Sequence, residues 1–196
     1  TNVSVSANAV AAPDHTSTAD SIVENDTAAG SVHQASQTAT IPSTADIDYC
    51  FAVALKAGAR TWASVRLQRN GNQALAYFNL TNGTVGAITN GTNWNNARAY
   101  TVPLGDGWYY CCVIARSADT ATSLSGNVRI AINDNTGTHD GDGTSNIYAW
   151  RATLAQSSVP VRLTQTTTAA PSGVSPSGSA MHVKGGPANL SGALLP

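Results

Sequence analysis

Gly107, Trp108, Tyr109, Tyr110, Cys111, Cys112, Val113, Ile114 and Ala115 form a run dense in aromatic and β-favouring residues, launched from the polar turn Gly105, Asp106, Gly107 and closed by Arg116. Such residues favour a pleated, buried surface, so the run predicts a core strand. Further on, Asn146, Ile147, Tyr148, Ala149, Trp150, Arg151, Ala152, Thr153 and Leu154 alternate large and small side chains at period two, the pattern of a strand with two unlike faces. We expect the two runs to be neighbours inside a β-sandwich. Neither contains an assembled catalytic group, so the fold is legible here before the function.

The same reading extends outward. Residues 2–7, 18–24 and the more polar 32–38 read as strands. Residues 47–57 put Tyr49, Phe51, Val53 and Leu55 on one face and Asp48, Cys50, Ala52 and Ala54 on the other. After Gly58, Trp62, Ser64, Arg66 and Gln68 alternate with Ala63, Val65 and Leu67. Asn70, Gly71, Asn72 is a hairpin-type turn, because Asn and Gly accept positive φ cheaply. Residues 74–80 run back, and Asn82, Gly83 turns into 84–88. We read 89–96 and 117–126 as polar connections, 98–104 and 127–133 as strands, and 134–145 as a long loop. About ten or eleven short strands with frequent turns and no helical period predict an all-β, antiparallel two-sheet jelly-roll sandwich over residues 1–163. From Thr164 the composition turns to Thr, Ser, Pro and Gly, so residues 164–196 read as a linker and extended C-terminal arm. An arm with so little to bury is expected to be held by neighbouring chains. Beginning at Thr1, the chain reads as a processed product or the ordered part of something longer.

Hydrophobic residues make up 42% of the sequence and charged residues only 11%, against roughly 25% in ordinary soluble domains. Asn, Thr, Ser, Gly and Ala fill the surface instead, as in β-rich extracellular or particle-bound proteins. Ten basic and eleven acidic residues give a net charge of −1 without a basic stripe. Binding to nucleic acid or to anionic membrane is not expected. No run approaches the length of a membrane span, so membrane insertion is not expected either. Cys50, Cys111 and Cys112 lie in apolar runs and read as small buried hydrophobes, with one disulfide from Cys50 as the alternative; adjacent strand residues face opposite ways, so only one of Cys111 and Cys112 shares the face of Cys50.

The ordered set of Ala12 to Asp20, Phe51 to Gly58, Tyr77 to Gly86, Gly107 to Cys112, Gly141 to Thr144 and Ile147 to Trp150 resembles the carbohydrate-binding-like jelly-roll module of bacteriophage tail-fibre, head-fibre and other virion proteins. The resemblance covers residues 1–163. Tyr110 departs from it, standing where an arginine is expected. The resemblance implies a virion location and partners among other virion proteins or copies of the same chain, a trimer being favoured. It implies a surface for host glycans or for decorating a capsid, and it brings no fixed set of binding residues.

Trp94, set among Asn90, Asn93, Asn95 and Asn96, is an aromatic in an amide-rich segment that suits stacking on a sugar or plugging into a partner; the alternative is that it caps the sandwich. Trp62 and Tyr77 lie on strands, where core packing competes with lining a sugar-binding sheet. Asp134, Asp140 and Asp142, beside His139, offer hard oxygen ligands for a structural Ca²⁺, although their spacing departs from the twelve-residue calcium loop and a solvated turn is the competing reading. His15, His33, His139 and His182 have no nucleophile and acid at triad spacing. Glu24, Asp46, Asp48, Asp106 and Asp119 would have to converge to cleave a glycoside. We therefore expect a virion fibre, spike or decoration protein that is not an enzyme and acts by multivalent attachment, with a polysaccharide-binding module as the alternative.

Overall fold

The computed structural model describes residues 1–163 and the backbone of 179–181. Their regular structure is entirely strand: β1 Val3–Val10, β2 Ala19–Glu24, β3 Gln34–Thr40, β4 Ile47–Ala57, β5 Trp62–Arg69, β6 Asn72–Asn79, β7 Val85–Asn90, β8 Trp94–Gly105, β9 Trp108–Ser117, β10 Ser123–Ala131, β11 Asn146–Gln156 and β12 Ser179–Met181. Two antiparallel sheets form, one in the order β1-β2-β11-β4-β9-β8 and the other in the order β3-β10-β5-β6-β7. β12 adds to the first sheet by pairing with Ala152, Thr153 and Leu154 of β11. The rest of the expected arm, 164–178 and 182–196, lies outside the described residues. Among the described residues, no helix is long and apolar enough to cross a membrane.

The core between the sheets takes the apolar set that period two assigns. Tyr49, Phe51, Val53 and Leu55 of β4 meet Ala63, Val65 and Leu67 of β5, with Cys111, Val113 and Ala115 from β9. Burying side chains of this size stabilises by about 1.5–3 kcal/mol each, so the register of β4 and β5 is strongly fixed. The two sequence runs expected as neighbours share a sheet but do not touch edge to edge. β4 stands between them, pairing Phe51 with Val113 on one side and Leu154 on the other. The reason is burial: β4 hides both of its faces, which only a central position allows.

Three further departures have local causes. β8 begins at Trp94, because the stretch expected as polar loop pairs Trp94 with Ser117 and Asn95 with Arg116. β10 likewise starts at Ser123, where polar residues pair with the equally polar β3. In β11 the register shifts between Trp150 and Ala152, with Arg151 at φ 43°. One residue is thereby inserted, so Ile147, Ala149, Ala152 and Leu154 all reach the core although strict alternation would turn the last two outward. The Arg151 guanidinium lies 4.0 Å over the Trp150 ring and donates to Asp14 Oδ2 at 3.3 Å.

The outer face of the larger sheet is apolar and covered. Cys50, Ala52, Cys112 and Ile114 pack under Tyr110, Val161 and Leu163. Trp108 and Trp150 pack with Ala12, Ala19 and Ala54. Hydrogen bonds fasten these covers: Tyr110 donates its hydroxyl to the Val161 carbonyl at 2.7 Å, and Trp108 Nε1 donates to Ala11 at 3.2 Å. Tyr110, at the position expected to hold arginine, thus anchors the segment after β11. All three cysteines are buried free thiols; Cys111 faces the core, and Cys112 shares the outer face with Cys50, their sulfurs 3.1 Å apart.

Candidate functional site

Residues opposite one another in an antiparallel ladder share a face, so the pairing of β3, β10, β5 and β6 sorts the second sheet's outer side into rows. One row reads Gln34, Arg129, Ser64, Tyr77; the next reads Ser36, Asn127, Arg66, Leu75; a third reads Thr38, Ser125, Gln68, Gln73. Trp62 opposes Ala131 on one flank and Asn79 on the other. This side points away from the core, yet it carries amides, guanidiniums and aromatics in the same rows. Where the larger sheet shows sulfur and methyl groups, this one shows hydrogen-bonding groups.

Arg66 is central and 4% exposed. Its Nη1 donates to Gln73 Oε1 at 2.9 Å, and its Nη2 donates to Gln34 Oε1 at 2.8 Å and Asn127 Oδ1 at 3.1 Å. Arg129 Nε donates to the same Gln34 oxygen at 3.1 Å. Arg60, Arg98, Arg116 and Arg151 each have a carboxylate partner. Arg66 and Arg129 have amide oxygens instead, and no ion pair holds either among the described residues. Burial, and then the neighbouring Arg129 charge, push Arg66 down to about 10; burial also lowers Arg129. Both stay charged at neutral pH. Arg66 Nε and Ser64 Oγ are buried without a hydrogen-bond partner. Two like charges are thus partly desolvated without an anion, an arrangement that costs folding free energy.

The loop after β10 closes one end of this face. Asp134 Oδ1 accepts the Ala87 amide at 2.7 Å, pinning the loop to β7. A Cβ on Gly86 would collide with Asp134 and lie 2.9 Å from the Trp62 ring, so the strand passes tightly beside that aromatic. A Cβ on Gly137 would lie 2.8 Å from the Tyr77 hydroxyl and 3.5 Å from Arg129 Nη1. Gly137, itself buried, thus lies against these two donors with no room for a side chain. Burial, reinforced by Asp134, raises the Tyr77 pKa although both arginines counter it, so the hydroxyl stays protonated and can donate.

A second polar cluster lies at the β1–β2 edge. Glu24, 0% exposed, accepts from Arg60 Nε at 2.9 Å and Nη2 at 3.0 Å, from the Asp142 amide at 3.1 Å, and meets His139 Nε2 at 2.7 Å. Burial works to raise the Glu24 carboxyl, but Arg60, His139 and Asp142 together outweigh it and hold it below its ordinary value. The His33 ring lies tilted by 41° against that of His139, with ring centroids 4.5 Å apart. Glu24, His33 and His139 have ligand atoms close enough for a metal. Arg60 already supplies the cation, however, and both His33 nitrogens face carbonyl oxygens, Asn2 at 3.1 Å and His139 at 3.4 Å. The cluster ties the 134–145 loop to β2.

Several expected site residues lie elsewhere. Trp94 is not an exposed platform: it is 2% exposed and packs in the core, because its strand starts there and turns the ring inward. Asn93 binds Asp119 at 3.4 Å, and Asn95 is exposed on β8. Trp62 and Tyr77 do meet on one face. Asp134, Asp140 and Asp142 do not converge; each stabilises a different stretch of backbone, at Ala87, at Gly30, and at Thr144 and Ser145. The acids considered for cleavage are also separately engaged: Asp46 with Arg116, Asp48 with Arg98, Asp106 with His15, and Asp119 with Asn70. Asp46 and Asp48 line one open cleft of about 430 Å³.

The sequence reading placed Arg66 in a strand alternation and singled out none of Arg66, Arg129, Gln34 and Gln73 as site residues. The alternation that would have flagged them was visible in β5, but the register joining β5 to β10 and β3 was not. Arg60 was missed because its partners are distant in the chain.

No protein-family model matches this chain, and no curated protein matches it. Among solved structures it is similar to the enzymatically active domain of bacteriophage CBA120 tailspike protein 4, at 15% identity and a TM-score of 0.40. The match covers 78% of this chain and 17% of that chain. The expectation that the chain is not an enzyme is corrected here, since the neighbour it resembles is described as enzymatically active. The likeness is too distant to assign that activity, or any chemistry, to these residues.

Proposed function

We propose that this β-sandwich is an attachment domain of a phage particle that holds a polysaccharide across the outer face of its smaller sheet. The observation that supports the binding reading is the grouping of Trp62, Tyr77, Gln34, Gln73, Asn127 and two arginines on one outer sheet face, where Trp62, Gln34, Gln73 and Arg129 are partly exposed. Sugars present flat C–H faces and pairs of hydroxyls, which aromatic rings and planar amide or guanidinium groups match. The particle location rests on the sequence resemblance of residues 1–163. Each copy would bind weakly, and copies arranged as a trimer would convert weak contacts into firm attachment.

Retention on an immobilised polysaccharide tests the reading. The unaltered chain is expected to be retarded, Trp62→Ala to lose most of that retardation, and Asn95→Ala, on the exposed β8, to keep it. Equal retention of the Trp62 variant and the parent would sink the proposal.

A further inference from the structure

The covered face of the larger sheet holds a pair of sulfurs that the glycan reading does not use. On the β4–β9 ladder Cys50 opposes Ile114 and Cys112 opposes Ala52, so the two cysteines are diagonal neighbours on one face. Their sulfurs lie 3.1 Å apart, nearer than two unbonded sulfurs ordinarily rest, and both residues are 0% exposed. Cys111 points into the core instead, where its thiol donates to the Tyr109 carbonyl at 3.6 Å. Over the pair runs the segment 157–163. The Ser157 amide ties it to the Asp48 carbonyl, Arg98 donates to the Ser158 carbonyl, and the Tyr110 hydroxyl donates to the Val161 carbonyl. Val161 and Leu163 pack on the cluster that holds both cysteines.

We propose that Cys50 and Cys112 are a disulfide site, with the segment 157–163 as its gate. Two sulfurs make only half of a tetrahedral metal site, and the group of residues placed to hold a metal among the described residues, Glu24, His33 and His139, contains neither cysteine. The oxidant is a small disulfide of the glutathione class. Cys50 attacks first: its thiol is lowered, chiefly by the hydrogen bond with Cys112 and further by the Val161 backbone and the Arg98 charge, although burial opposes them. The Cys50 thiolate breaks the S–S bond of the oxidant, forming a mixed disulfide and releasing one glutathione thiolate, which takes up the proton Cys50 gave. The Cys112 sulfur then loses its proton and attacks Cys50, expelling the second glutathione, which is protonated in turn. The protein thiols have lost two electrons and two protons, and the oxidant has become two thiols. A glutathione on Cys50 has no room beneath Val161 and Leu163, so the segment lifts for the first step and settles after the second. The site stands whether or not the smaller sheet binds a glycan.

The test exposes the reduced, folded full chain to oxidised glutathione, alkylates the remaining thiols in urea and maps the cross-linked peptides. A monomer is expected in which Cys111 alone is alkylated and the peptides of Cys50 and Cys112 are joined. Cys111→Ala should keep the link and Cys112→Ala should lose it. Closing a long loop should raise the urea midpoint of the oxidised parent above that of the reduced parent. Tyr110→Phe, which cuts the tie to Val161, should speed oxidation by up to about tenfold, the factor that one hydrogen bond supplies. Three alkylated cysteines, even after refolding in the same oxidant, overturn the site, as do a link that survives in Cys112→Ala, a lasting glutathione adduct or cross-links between chains. Equal rates in Tyr110→Phe and the parent overturn the gate.

Discussion

The two outer faces of this sandwich are built on equally regular strands and come to opposite ends. On the larger sheet, Cys50, Ala52, Cys112, Ile114, Trp108 and Trp150 are apolar, and the chain folds Val161, Leu163 and Ala12 over them. On the smaller sheet, Arg66, Arg129, Asn127, Gln34 and Gln73 are polar and shield one another by mutual hydrogen bonds. Apolar area left in water is unfavourable, so a face that only needs to be stable is covered by the chain itself. A face that keeps two carboxylate-free guanidiniums in its middle sacrifices stability, and such sacrifices gather at functional surfaces.

Substitutions break or sharpen this contrast. The largest loss is expected on the covered face. Trp108→Ala removes a ring that is 1% exposed and its bond to Ala11, and should cost about 3–5 kcal/mol in urea unfolding, with glycan binding by the folded fraction unchanged. Glu24→Gln comes next, because it strands Arg60 and His139; about 3 kcal/mol is expected. The same carboxyl sets a pH dependence. Its folded pKa is below its ordinary 4.5, so its contribution is complete above that value and fades as pH falls through the folded pKa. Asp142, also lowered, chiefly by its hydrogen bonds with Ser145, acts in the same direction. The urea midpoint should therefore drop on acidification in the parent and drop less in Glu24→Gln. A midpoint that rises as pH falls would contradict the account.

The smallest stability change is expected in the middle of the open face. Arg66→Met removes a buried charge that has no carboxylate but also the donor to Gln34, Gln73 and Asn127; the first offsets part of the second, so a loss of about 1–2 kcal/mol is expected. Retention on the immobilised polysaccharide should nevertheless weaken. A large destabilisation with unchanged binding would mean that the open face is structural like its counterpart, and the contrast would collapse.

Most of the sandwich was legible because burial follows period two. The inward sets of β4 and β5 were readable residue by residue, as was the opposition of Cys111 to Cys112. Legibility stopped where tertiary pairing decides. Asn95 and Ser123 look like loop residues and become strand because Arg116 and Thr40 are there to pair with them. Trp94 looks exposed among amides, and only the direction of β8 turns it inward. The open face was half legible: Trp62 and Tyr77 were named, but the arginines gain meaning only when two strands distant in sequence are laid side by side. The Glu24 cluster joins residues from four separate segments, and no local pattern could announce it.

The extra residue in β11 has a consequence for how this gene can change. Because Arg151 is the odd member of the ladder, losing that one codon would close the bulge and leave the pairing continuous from Trp150 to Ala152, with Ala152 and Leu154 still facing the core. Replacement and omission at 151 therefore remove the same things, the guanidinium over Trp150 and its bond to Asp14, and both spare the rungs on which β12 rests.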